Sequence, residues 1–178
     1  MNSGTFEMPF ENAASALSQP RWGVRIVLIS LALIETWLGF SDATALFGDT
    51  ATASGSSLGG FVTKVHLAAH PVLAIAALVF ASLGRIRPAI IALGIVILFG
   101  WLNDMPSVVL HGMEFKSTFS AVETTARIIA FPLIAACAIA YAARGEHLGR
   151  ATLLVAAPTL FNMVLLVGFF VSVMIYGF

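Results

Sequence analysis

Five stretches of this chain each continue for about 20 residues with few ionisable side chains, the length a helix needs to cross a hydrocarbon core at about 1.5 Å per residue. In lipid every backbone N–H and C=O must find a partner inside the chain, so such stretches read as helices. The expected spans are 24–47, 65–83, 88–110, 121–143 and 151–176. The fold class is therefore an all-α integral membrane protein, a bundle of five transmembrane helices. Composition agrees: 59% of residues are hydrophobic and 10% charged, with a mean hydropathy of +0.96, well outside the range of soluble domains.

Residues 1–22 form an N-terminal tail or an interfacial helix, and 23–178 form a single transmembrane domain. The interfacial reading rests on Phe10, Ala13, Ala14 and Leu17, which share one helical face. A basic region leading into a short apolar stretch is missing at the start, so no cleaved signal peptide is expected. Residues 48–60, rich in Gly, Ser, Thr and Ala, read as a flexible outer loop. Nine basic residues balance nine acidic ones, which leaves no footprint for nucleic acid.

The basic residues fix the expected orientation. Arg21, Arg25, Arg85, Arg87, Arg144 and Arg150 fall at one side of the spans, and Lys64 and Lys116 at the other. The positive-inside rule then puts the amino terminus in the cytoplasm and the carboxyl terminus outside, in a multi-pass protein of the inner (plasma) membrane.

Polar residues inside the spans recur at helical spacing. Glu35 and Asp42 are seven apart, His66 and His70 four apart, Asp104 and His111 seven apart, and Glu123 and Arg127 four apart. Apart from Glu35, near mid-membrane, they all fall in the outer half. Pro71 and Pro106, at a similar level, free the carbonyls of Leu67 and Leu102. Ionisable groups are costly in lipid and normally face a bundle interior or a wet cavity, so an outward-opening polar site is expected. Plainer readings apply to several members. Glu123 and Arg127 suit an intrahelical ion pair, His111 an interfacial residue, Asp42 a helix end, His147 a solvated turn, and Cys137 a small buried hydrophobe.

Three functions fit this pattern. In the first, the site binds a metal or a single b-type haem in a redox or electron-transfer protein, or in a membrane-anchor subunit. His66, His70 and His111 supply imidazole ligands, Asp104 ligates or orients, and Arg127 with Lys64 or Lys116 balances haem propionates. Trp37 and Trp101 line the pocket. The carboxylates Asp42, Asp104 and Glu123 favour a non-haem iron, zinc or manganese centre, and copper would also take the imidazoles. In the second, Glu35, Asp42 and Asp104 carry protons or cations through a transporter or channel subunit. In the third, the chain is a non-catalytic assembly or structural subunit. The lipid bilayer is the expected partner, with a partner membrane subunit or a homo-oligomer joined through small-residue helix faces. A reporter fused after Phe178 should be active only outside the cytoplasm, and a cytoplasmic signal would reverse the topology.

Overall fold

The computed structural model describes residues 22–44, 58–113, 115 and 118–177. The expectations for residues 1–21, for most of the 48–60 loop and for Lys116 lie outside the described residues. The chain forms α1 (Trp22–Thr44), α2 (Leu58–Ser82), α3 (Ile86–His111), α4 (Thr118–Thr125), a π-helical turn (Ala126–Ala130), α5 (Phe131–Arg144) and α6 (Leu148–Tyr176). No strand occurs among the described residues. Among the described residues five helical segments are long and apolar enough to cross a membrane, with α4, the π turn and α5 together making the fourth.

Each segment lies where its apolar run lies, but the ends differ from the sequence reading. Helix α2 begins at Leu58 rather than near Val65, because Phe61 and Val62 continue the apolar run across the Gly59–Gly60 pair. Two turns follow the same chemistry. After α2, Arg85 N–H donates to Phe80 O at 2.8 Å and Gly84 N–H to Ala81 O at 3.0 Å. After α5, Glu146 N–H donates to Tyr141 O and Gly145 N–H to Ala142 O, both at 3.1 Å. Both are Schellman closures, which need a left-handed residue, and Gly84 and Gly145 supply it at φ 73° and 74°. The Arg87 guanidinium packs over the Gly145 Cα, in space that a Cβ would occupy. Arg25 Nη2 donates to Ser82 O and its guanidinium lies 5.2 Å from the Trp22 ring, so arginines knit this end of the bundle.

The core is built at that arginine end from small residues. Leu28, Ala77, Ala81, Ile90, Ala138 and Ala151 are all essentially inaccessible and belong to one cluster. Alanines at helical spacing let backbones approach closely, with Leu28, Ile90, Leu93 and Val155 the large side chains buried among them. Away from the arginines burial falls, and Val164, Phe169, Phe170 and Met174 of α6 are exposed.

Two features shape the open end. Pro132 has no N–H to give the carbonyl four residues back, that of Ile128, and Trp101 Nε1 donates to that carbonyl at 3.0 Å. The π turn just before Pro132 is thereby tied to α3. Second, Gly39 of α1 lies against α2, where an added Cβ would sit 3.0 Å from Pro71 N and Cα and 3.3 Å from the His70 carbonyl carbon. The two backbones touch at the level of His70. A Gly39→Leu substitution should wedge α1 from α2 and cost about 1–3 kcal/mol, the usual range for overpacking, read as earlier thermal unfolding in detergent; unchanged stability would mean that this contact does not hold the pair together.

Candidate metal centre

The α1–α2 contact brings together side chains from both helices. Glu35, Gly39 and Asp42 follow one stripe of α1, four and three residues apart, so Gly39 gives the close approach and the two acids flank it. His70 of α2 enters between them. Its Nδ1 lies 3.0 Å from Asp42 Oδ2 and its Nε2 lies 3.2 Å from Glu35 Oε2. Each N···O contact needs one proton, so these three groups hold two between them. The His70 side chain is 8% exposed, Glu35 13% and Asp42 44%, so the chain runs from an accessible carboxylate to a buried one.

Glu35 is held from a third helix. Thr159 Oγ1 of α6 donates to Glu35 Oε1 at 2.6 Å. This is not the ordinary behaviour of a threonine in an apolar helix, whose hydroxyl usually returns to its own backbone. Thr152, about two turns earlier by spacing, does so, donating to Leu148 O at 2.9 Å.

His66 stands one turn before His70, with ring centroids 5.4 Å apart. Its Nδ1 is buried and has no hydrogen-bond partner among the described residues. One donor atom from each of Asp42, His66 and His70 lies within 4.8 Å of the others. Donors that share one first-row metal at about 2.0–2.2 Å stand about 3–4 Å apart, so a limit of 4.8 Å makes these three a candidate ligand set. All three face a cavity of about 530 Å³ that is bounded by all five segments. Asp104 of α3 and Arg127 of the π turn line the same cavity, and Asp104 lies within Coulombic reach of both Arg127 and His66.

The other residues singled out from sequence are distributed as follows. Arg127 Nη1 is 3.6 Å from Glu123 Oε1, the ion pair expected within one helix, on a partly exposed face. His111 is not in the group: it is exposed on the last turn of α3, and its Nδ1 lies 3.3 Å from Ser107 O of its own helix. Its spacing from Asp104 places it two turns nearer the helix end, beyond the cavity wall. Trp101 lines the cavity, whereas Trp37 is 76% exposed. Cys137 is exposed rather than buried, since α5 is apolar on its outward side as well as its inward one. His147 is exposed in the turn before α6, edge-on to Tyr141.

Sequence reasoning passed over Thr159, Asn103 and Asn162, which all line the cavity. The adjacent Pro158 was the only local mark on Thr159, and proline in such a helix does not identify a hydrogen-bond donor. No protein-family model matches the chain, and no curated protein or solved structure matches it.

His70→Ala should cost about 3 kcal/mol, the low end for breaking a buried charged pair because Asp42 can turn to solvent. Thr159→Val should cost about 1–2 kcal/mol by leaving a Glu35 oxygen unpaired. Equilibrium unfolding in mixed micelles measures both, and a His70→Ala protein as stable as the parent would show that the three-helix network contributes nothing.

Proposed function

We propose that this chain is a multi-pass inner-membrane protein that holds one divalent transition metal on Asp42, His66 and His70 and uses it in a redox or electron-transfer role. The observation that carries the reading is the convergence of those three donors beside a cavity. Two imidazoles and one carboxylate, with positions left open, are the donor set of non-haem iron(II) centres, which makes iron the first choice ahead of manganese and zinc.

Charge supports the same reading. With both histidines neutral, the cavity is lined by three carboxylates, Glu35, Asp42 and Asp104, and one guanidinium, Arg127. A divalent cation supplies the two positive charges that remain, and a poorly solvated site favours such a balance. The surroundings of His70 also suit ligation. When Nδ1 binds a metal, Nε2–H donates to Glu35, and Thr159 holds Glu35 in turn. A carboxylate behind a ligating histidine fixes its tautomer and ring orientation.

A single b-type haem fits less well. Its axial ligands approach from opposite faces, whereas His66 and His70 share a side of α2 and His111 is bonded within α3. The second reading is the proton path, with Asp42, His70 and Glu35 as its members. The observation favouring it is that both ring nitrogens of His70 meet carboxylate oxygens.

The proposed topology puts the arginine end in the cytoplasm and opens the cavity to the outside, with the carboxyl terminus there too. Lipid is the partner that the exposed apolar faces require.

Protein purified in mild detergent without chelator should carry about one equivalent of metal by elemental analysis, with no Soret band. Asp42→Ala, His66→Ala and His70→Ala should each lose it, and Glu35→Gln should weaken affinity about 10–100-fold. His111→Ala should bind as the parent does. A metal-free parent that conducts protons and loses that flux on His70→Ala would transfer the assignment to the relay.

A further inference from the structure

The cavity is larger than a metal and its waters need. At about 30 Å³ for a water molecule, a volume near 530 Å³ is that of an organic-ligand pocket, which typically spans about 300–1,000 Å³. Its walls are of two kinds. The α1–α2 side carries the polar network already described. The facing side, from α3, the π turn, α5 and α6, is largely apolar and partly aromatic, Trp101, Phe131 and Leu166 included, but it also holds Asn103, Asp104 and Arg127.

One polar atom on that facing side is unaccounted for. Asn103 Oδ1 is buried and has no hydrogen-bond partner among the described residues, yet Asn103 lines the cavity. A buried amide oxygen left without a donor is costly, so the site is incomplete as it stands. Trp101 cannot serve, because its indole N–H is committed to Ile128 O.

With the divalent cation proposed above in place, the three carboxylates and Arg127 are balanced, so the rest of the cavity calls for no further charge. Glu35 and Asp42 are both engaged by His70, and Asp104 is within Coulombic reach of Arg127, which also pairs with Glu123. The remaining space therefore suits a neutral molecule with an aromatic body and one donating head.

We propose that the cavity binds a neutral phenol- or quinol-type ring, the Asn103 side chain turning so that its Oδ1 accepts from the ring hydroxyl while the ring lies against Trp101 and Phe131. The hydroxyl suits the amide in either orientation, since it donates to the oxygen and accepts from the NH₂. This goes beyond the metal assignment, and binding at Asn103 does not require the metal.

The test uses the full chain in nanodiscs with Trp22→Phe and Trp37→Phe, which leaves Trp101 as the sole tryptophan of the original three. Trp101 emission is titrated with 4-butylphenol, butylbenzene and 4-butylbenzoate, in metal-loaded and chelator-treated samples. Saturable binding of 4-butylphenol about tenfold tighter than butylbenzene is expected, from the hydroxyl that relieves a buried unpaired acceptor. Asn103→Leu should remove that preference while metal content stays unchanged. Leu166→Trp, assayed by competition with a tritiated 4-butylphenol, should block binding by filling the cavity. Equal binding of phenol and butylbenzene, preference for the benzoate, or no saturable signal with any probe would overturn the proposal. Phenol binding by a parent protein that takes up no metal when metal is supplied would refute the metal assignment alone, and a metal-loaded protein blind to phenol would refute this one alone.

Discussion

A histidine held between two carboxylates from a neighbouring helix is the interaction on which the open end of this bundle depends. His70 cannot reach both Asp42 and Glu35 unless α1 and α2 come within backbone contact, and only a residue without a side chain allows that. Gly39 stands between the two acids for this reason. Any larger residue there would move α1 outward and lengthen both contacts together. Thr159 then extends the network to α6, so one histidine couples the first, second and last helical segments.

The bundle divides its work along its length. At the arginine end, alanine seams pack α1, α2, α3, α5 and α6 tightly, and Schellman turns with glycine close two of the connections. At the other end the same helices line the cavity, with α1 and α2 still in backbone contact at Gly39. The π turn belongs to this second region. It widens the helix just before Pro132, and the carbonyl that proline leaves without its usual donor is taken by Trp101 of α3. Arg127 sits within that turn, so its place on the cavity wall follows from an irregularity in the helix and not from a regular repeat.

How much of this was legible depended on whether a residue's environment follows from spacing. The five segments were legible because backbone satisfaction in an apolar stretch leaves one solution. Glu35 with Asp42, and His66 with His70, were legible as shared faces, since the spacing of seven or four fixes them on one side. Which faces meet was not, because helix spacing says nothing about rotation. Asp104 and His111 share a face just as well, yet His111 lies beyond the cavity. Trp37 and Cys137 failed for a related reason: a helix apolar on every side gives no sign of which side is buried. Thr159 carries no sequence mark that separates it from Thr152, and only the position of Glu35 on another helix distinguishes their hydrogen bonds.

The two functional readings use the same atoms and differ in what carries positive charge. Without a metal, His70 and its two carboxylates keep two protons, and the network is complete except for His66, whose Nδ1 is left buried and alone. A proton path through Asp42, His70 and Glu35 gives His66 no task. A metal held by Asp42, His70 and the Nδ1 of His66 would take the place of one proton at Nδ1 of His70 and give the orphaned His66 nitrogen a partner, with Glu35 keeping its bond to Nε2–H. The metal reading therefore accounts for one more buried polar atom than the relay does, and that is the physical reason to prefer it.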